Sequence, residues 1–192
     1  MLRHGRTAWN VAGRFQGRDH PDDPPLDDVG LAQAAQAGRA LAGVGATVLW
    51  SSPLRRARQT AAAVAAATGL TVTTDPRLAE QAFGVWEGLT RDEVVDRYPA
   101  AFATWREGGE PDREGGETRA EVGRRAAAAV ADLPVGCAAI LVSHGAAAGA
   151  LVATLLGLGE APRRIHGLGN CHTSQLREGV DGWTLLSHDL PT

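Results

Sequence analysis

Residues 1–10 read Met-Leu-Arg-His-Gly-Arg-Thr-Ala-Trp-Asn and place Arg3, His4 and Gly5 side by side at the start of the chain. An arginine guanidinium offers a planar fork of donors that matches phosphate oxygens. A histidine can act as a nucleophile at neutral pH, and a glycine lets main-chain N–H groups approach an anion closely. Because Arg-His-Gly also occurs by chance, the segment indicates a phosphate site only together with matching pieces elsewhere in the chain.

A second histidine follows the most apolar run of the sequence. Residues 137–142 read Cys-Ala-Ala-Ile-Leu-Val and predict a buried parallel strand. This strand leads into Ser143, His144 and Gly145, after which a helix is predicted to residue 156. Proteins in which strands and helices alternate place anion sites where a strand ends and a helix begins. A single histidine at this position could be structural, but the presence of His4 favours a functional role.

Strands and helices alternate along the rest of the chain, which predicts a three-layer α/β/α fold with a mostly parallel central sheet. Ser52 is predicted to cap an Ala-rich helix, with Pro53 at its first position. The remaining predicted strands are residues 46–50, 70–74, 173–177 and 183–188. The remaining predicted helices are residues 26–41, 90–98, 99–105 and 118–133.

Four separated stretches resemble, in the same order, the motifs of the histidine phosphatase superfamily, the phosphoglycerate-mutase-like phosphatases. The first ten residues match Leu-x-Arg-His-Gly-x-Thr-x-x-Asn. Residues 52–60 match Ser-x-Leu-x-Arg-Ala-x-x-Thr and place Arg56 on the phosphate-binding arginine of the family. Residues 78–90 match Leu-x-Glu-x-x-Phe-Gly-x-Trp-Glu-Gly-Leu-Thr, and the fourth motif is His144 with its glycine.

This resemblance implies a role for each matching residue. His4 would attack phosphorus and form a phosphohistidine, and Glu80 would be the general acid and base, with Glu87 as a rival carboxylate that we expect to be structural. His144 would join them as a catalytic residue. The implied substrate-binding residues are Arg3, Gly5, Thr7, Asn10, Gln16, Gly17, Arg56 and Gly145.

The resemblance also implies the organisation of the chain. We expect one histidine phosphatase domain over residues 1–192, with a lid inserted at about residues 81–117. Within the insertion, residues 108–116 are Gly-rich and charged and are expected to form a mobile loop. The sequence Gly115-Gly116-Glu117-Thr118, which overlaps the end of this loop, resembles an element that the family places near the substrate. Residues 18–25 are longer than usual for the family and are expected to form a loop at the pocket entrance.

The composition excludes several other classes of protein. With 44% hydrophobic and 21% charged residues the chain is globular, and its net charge of −3 argues against nucleic-acid or membrane-surface binding. Cys137 and Cys171 form neither a disulfide framework nor a zinc-binding spacing. We expect a cytoplasmic protein without a metal or cofactor, with a small phosphomonoester as its partner and a homodimer as a candidate assembly.

The sequence therefore predicts a metal-independent phosphomonoester hydrolase that acts on a small phosphorylated metabolite. The suggested substrates are a sugar phosphate or a phosphoglycerate derivative such as glucosyl-3-phosphoglycerate. Two alternatives stay open: a 2,3-bisphosphoglycerate-dependent phosphoglycerate mutase, and a catalytically weak module that binds phosphorylated ligands. Against the mutase, the mutases of the family read His-Tyr-Gly where this chain has Ala82, Phe83 and Gly84.

Overall fold

A computed structural model describes residues 1–159 and 165–192. It has a six-stranded sheet with the order β3-β2-β4-β1-β5-β6. The strands are Leu2–Arg3 (β1), Val48–Ser51 (β2), Val72–Thr74 (β3), Ala139–Ser143 (β4), His172–Gly179 (β5) and Gly182–Pro191 (β6). The α-helices of the described residues are Ala8–Val11 (α1), Asp28–Leu41 (α2), Arg55–Thr68 (α3), Arg91–Arg97 (α4), Pro99–Arg106 (α5), Arg119–Ala131 (α6) and Gly145–Leu155 (α7).

The sheet is mostly parallel, as predicted. Strands β3, β2, β4 and β1 are parallel, whereas β5 and β6 form an antiparallel pair at one edge. Strand β1 has only two residues, yet it lies between β4 and β5: Leu2 pairs with Val142 on one side and Thr173 on the other. The chain therefore leaves β1 and β4 at the same edge of the sheet.

Helices cover both faces of the sheet, which confirms the three-layer architecture. Alternate strand residues point to opposite faces. On one face, side chains of the sheet pack with α2 and α3, a cluster that includes Leu2, Ala37, Leu49, Ala57, Ala61, Val64, Ile140 and Val142. On the other face they pack with α6 and α7, a cluster that includes Leu78, Ala126, Ala129, Val130, Leu141 and Leu151.

The predicted cap of the Ala-rich helix is wrong. Helix α3 begins at Arg55, with Leu54 as a cap residue that has no side-chain hydrogen bond. The hydroxyl of Ser52 accepts the N–H of Leu54, just before the helix, at 3.3 Å, and is bonded more closely to a ring nitrogen of His144 at 2.7 Å. Because a capping pattern shows only which side chains are able to cap, it cannot reveal a competing partner that lies 92 residues away in sequence.

Residues 81–117 contribute Phe83, Trp86, Phe102 and Trp105 to an aromatic cluster that also contains Phe15. The loop expected to be mobile is packed against this region in its second half. The N–H of Val85 donates to the carbonyl of Glu114 at 3.1 Å, and the guanidinium of Arg113 lies over the Phe83 and Trp86 rings. The use of this insertion as a lid stays a prediction.

None of the helices in the described ranges is long and apolar enough to cross a membrane.

Candidate active site

The two predicted catalytic histidines meet where strands β1 and β4 end. The N–H of His4 donates to the carbonyl of Ser143 at 3.0 Å, and His144 follows directly. The ring centroids of His4 and His144 are 5.2 Å apart, and the two residues are only 3% and 0% exposed. Because β1 and β4 are parallel neighbours, their carboxyl ends bring together residues that are 140 positions apart in sequence.

The ring of His4 is fixed in one tautomer by its own loop. Its Nδ1 lies 2.7 Å from the carbonyl of Gly5, and since a carbonyl can only accept, Nδ1 carries the proton and Nε2 the lone pair. Burial, followed by the charges of Arg56 and Arg3, holds the pKa of His4 well below its usual value. The imidazole is therefore neutral at neutral pH, as a nucleophile requires.

His144 caps the beginning of α7 with its main chain. Its Nε2 is bonded to the Ser52 hydroxyl at 2.7 Å, and its Nδ1 is buried with no hydrogen-bond partner among the described residues. Burial, then the nearby charge of Arg56, lowers the pKa of this ring well below its usual value. His144 is thus a neutral imidazole with one buried nitrogen that no described residue engages.

Two guanidiniums flank the histidines. Arg3 donates through Nη1 to the carbonyl of Leu168 at 2.7 Å. Arg56, in the first turn of α3, donates to the carbonyl of Gly17 at 3.0 Å and to the carboxylate of Asp23 at 3.1 Å. The Nε atoms of both arginines are buried and lack a partner in the part of the chain that the structure describes. The site therefore holds two fixed cations, each with an Nε–H donor that no described residue uses.

Glu80 lies at the N-terminus of α7. Its carboxylate accepts the N–H groups of Gln81 and Ala147, both at 2.8 Å, and that of Ala146 at 3.2 Å. These three donors fix the orientation of the carboxyl group, and Glu80 lines the pocket. The rival carboxylate, Glu87, accepts main-chain N–H groups of nearby loops instead, which agrees with its expected structural role.

The remaining predicted binding residues divide into two groups. Asn10, Gln16 and Gly145 line the pocket together with Arg3, His4 and Glu80. Thr7, Gly5 and Gly17 lie behind the pocket wall.

Gly5 contacts residues behind the pocket wall. Its N–H donates to the Thr60 hydroxyl at 3.0 Å rather than toward the pocket. Glycine is required there because a Cβ would collide with the carbonyl of Gly30. Thr7 is a helix cap whose hydroxyl bonds to Gln16 at 2.9 Å, and Gly17 contributes its carbonyl to Arg56. These residues support the binding groups.

A model of the histidine phosphatase superfamily (branch 1) matches residues 1–190. The chain belongs to this superfamily.

The similar proteins include both phosphatases and mutases. A probable phosphoglycerate mutase GpmB of Yersinia pestis is 40% identical over 192 residues, covering 95% of this chain and 86% of the relative. A mycobacterial glucosyl-3-phosphoglycerate phosphatase, solved with VO₃, is 36% identical with a TM-score of 0.91, covering 99% and 97%. A phosphoserine phosphatase of Entamoeba histolytica, in complex with 3-phosphoglyceric acid, is 27% identical with a TM-score of 0.84, covering 98% and 94%.

Beyond Arg3, His4 and Glu80, the pocket contains residues that the sequence did not reveal. Its volume is about 650 Å³. Phe15, Phe83 and Trp105 form an aromatic wall, and the cationic lining residues beyond Arg3 are Arg14, Arg91 and Arg119. Among the described lining residues Glu80 is the only carboxylate. The outer pocket is therefore aromatic on one side and positively charged overall.

Asn170 is a further lining residue that sequence reasoning missed. Its side-chain amide donates to the carbonyl of His4 and to the side-chain oxygen of Asn10, both at 3.1 Å. It precedes β5, which is antiparallel to β1, so the start of β5 lies beside the end of β1. The sequence did not show that Asn170 lies in the pocket because it did not show that β5 is antiparallel to β1. His166, which matched no motif, also lines the pocket.

Proposed function

We propose that this histidine phosphatase is a metal-independent hydrolase of phosphomonoesters that acts through a phosphohistidine on His4. The observation that carries the proposal is the state of His4: a buried neutral imidazole with its Nδ1 proton held by a carbonyl. Two buried guanidiniums and a second imidazole surround it. Such fixed donors stabilise charge on a transferring phosphoryl group.

The proposed cycle has two steps. First, Nε2 of His4 attacks phosphorus, the ester P–O bond breaks, and Glu80 gives its proton to the leaving oxygen. Arg3, Arg56 and His144 hold the phosphoryl oxygens meanwhile. Second, Glu80 takes a proton from a water molecule, the water oxygen bonds to phosphorus, and the N–P bond breaks. Inorganic phosphate leaves, and both His4 and Glu80 return to their starting states.

The outer pocket supports a substrate that is larger than a three-carbon acid and carries a second anionic group. Pockets of about 300–1,000 Å³ hold ligands of drug-like size, and this pocket has about 650 Å³. Arg91 and Arg119 could pair with a carboxylate, while the rings of Phe15 and Trp105 could cover the apolar face of a sugar. A phosphoglycerate derivative such as glucosyl-3-phosphoglycerate has these features, and a similar mycobacterial phosphatase is named for that substrate.

A phosphoglycerate mutase is the second candidate, because a probable GpmB mutase is 40% identical and the outer arginines could also hold a glycerate carboxylate. A mutase must return its phosphoryl group to a second hydroxyl before water reaches it, which requires a closed site around the intermediate. A pocket of this size favours the hydrolase. A phosphate-binding module without turnover is disfavoured because His4, Glu80, His144 and both arginines are all present.

Phosphorus NMR of 3-phosphoglycerate with enzyme and a trace of 2,3-bisphosphoglycerate separates the two reactions. The proposal predicts inorganic phosphate as the product, and faster release from glucosyl-3-phosphoglycerate. Accumulation of 2-phosphoglycerate ahead of free phosphate would assign the protein to the mutases instead. Turnover of p-nitrophenyl phosphate excludes the binding module.

A further inference from the structure

Arg125 on helix α6 holds the main chain of the segment that carries Glu80. Its Nη1 donates to the carbonyl of Arg77 at 2.7 Å and to that of Ala79 at 2.8 Å. Its Nη2 donates to the carbonyl of Glu80 itself at 2.8 Å. A single guanidinium therefore fixes three carbonyls at and just before the proposed acid.

Glu117 completes this arrangement from the other side of Glu80. Its two carboxylate oxygens accept Nε and Nη2 of Arg125, both at 3.0 Å. One of them also accepts the N–H of Ala82 at 3.0 Å. The Arg125–Glu117 pair thus binds the main chain at Glu80 itself and on both sides of it, at Ala79 and at Ala82.

Other bonds leave the segment little freedom to turn. The hydroxyl of Ser143 donates to the carbonyl of Leu78 at 2.7 Å, so every carbonyl from residue 77 to residue 80 has a donor. The side chains of the pair are only 16% and 15% exposed. Burial opposes ionisation of Glu117, but the hydrogen bond and charge of Arg125, the Ala82 N–H and the charge of Arg18 hold the pKa of Glu117 below its usual value.

Stability alone is a weak reason for such an arrangement, because a buried ion pair often contributes no more than apolar residues of the same volume. The placement of Glu80 is a stronger reason for the arrangement. A general acid must lie within hydrogen-bond reach of the leaving oxygen, and a displacement of about 1 Å can cost about 100-fold in rate. The pair reaches the main chain of Glu80 without being among the residues that line the pocket.

We propose that Arg125 and Glu117 are positioning residues that place the Glu80 carboxyl for protonation of the leaving group. The inference rests on the proposed function, in which Glu80 is the general acid. It goes further by assigning a catalytic contribution to two side chains that act only through the main chain around that acid.

The test is the ratio of kcat/KM for an alkyl phosphate to kcat/KM for p-nitrophenyl phosphate, whose leaving group needs little protonation. We use kcat/KM because it reports transfer of the phosphoryl group to His4 and excludes the later hydrolysis, which is the same for both substrates. This ratio does not depend on the fraction of enzyme that is folded. Arg125→Lys keeps the charge but cannot reach three carbonyls and a carboxylate together, and it should lower the ratio about 10- to 100-fold. Arg124→Lys, an exposed neighbour on the same helix, is the matched control and should leave the ratio unchanged.

Glu80→Gln separates failure of this inference from failure of the proposed function. If Glu80→Gln lowers the ratio and Arg125→Lys lowers both rates equally, the pair is merely structural and the inference is overturned alone. If Glu80→Gln leaves the ratio unchanged, the acid is misassigned and both proposals are overturned. In the double variant the ratio should be no lower than in Glu80→Gln, since both changes act on one step. Glu117→Gln should shift the ratio in the same direction and serves if Arg125→Lys does not fold.

Discussion

The two ends of the pocket are built in different ways. At the end proposed to bind phosphate, called the phosphate end, His4 and His144 are buried. They are bonded to Ser143 and Ser52, which lie at the ends of β4 and β2. At the outer end, Arg91 is exposed at the first turn of a short helix, and Phe83 and Trp105 come from the inserted region. The comparison teaches that the residues proposed for the chemistry lie on the core of the fold, whereas the added segments line the part of the pocket proposed to hold the rest of the substrate.

Substitution of one histidine at each end tests this difference directly, and the substitution of His4 should give the largest effect. His4→Ala should lower kcat by about 10⁴- to 10⁶-fold, the scale seen when a nucleophile is removed. His166→Ala, the matched change at the outer end, should alter kcat only a few-fold because His166 is exposed there. The measurement is turnover of p-nitrophenyl phosphate by variants whose thermal unfolding is unchanged. Comparable losses from both would erase the distinction between the ends.

The proposed acid lies between the two ends, and its substitution should give the next largest effect. Glu80→Gln keeps the shape of the side chain and removes its proton, so kcat/KM for alkyl phosphates should fall about 10²- to 10⁴-fold. The loss should be smaller with p-nitrophenyl phosphate. Glu87→Gln is the control. An equal loss on both substrates, or a larger loss in the control, would show that another group supplies the proton.

Much of the phosphate end could be predicted from the sequence because strand ends and motifs are local signals. Arg3 and His4 are adjacent, and the apolar run before His144 identifies a strand that must end at that residue. By contrast, Asn170 and the Ser52–His144 bond depend on which strands are neighbours. Periodicity gives the strands but not their order or direction, so these contacts could not be predicted.

The outer end was poorly predicted for another reason. Arg91 and Arg119 each begin a helix that the sequence did indicate, yet arginines at helix starts normally face solvent. Whether they line a pocket depends on how the inserted region packs on the core. The same holds for residues 108–116, expected to be mobile: the contacts of Arg113 with Phe83 and Trp86 are tertiary and leave no local pattern.

A substitution of Arg119 tests whether the outer end alone recognises a second anionic group. Arg119→Met removes a cation from the pocket wall and should raise KM about 10- to 150-fold for a phosphoglycerate derivative, at nearly constant kcat, because a hydrogen bond to a charged group contributes about 1.5–3 kcal/mol. The KM for p-nitrophenyl phosphate, which lacks a second anion, should change little. Arg124→Met, on the same helix but outside this pocket, is the control. If KM rises equally for both substrates, Arg119 does not recognise a second anionic group.

The burial of His4 should also appear as a small pH dependence of stability. Since the folded pKa of His4 lies well below its usual value, the unfolded chain binds more protons between that pKa and about 6.5. Stability is therefore complete above about pH 6.5 and falls with decreasing pH, by at most about 1.4 kcal/mol per pH unit for this group. Urea unfolding at pH 7.5, 6.0 and 5.0 should show a shallower loss in His4→Asn. An unchanged slope would mean that His4 is already protonated in the fold.

The most direct test of the central claim is to trap the phosphoryl group on the enzyme. Rapid quenching of the reaction with ³²P-labelled substrate should give a phosphoprotein that is labile in acid and stable in base. Peptide mapping should locate the label on residues 1–10, and it should vanish in His4→Ala. An acid-stable phosphoester on Ser51, Ser52 or Ser143, or turnover with no labelled protein at any quench time, would contradict a phosphohistidine on His4.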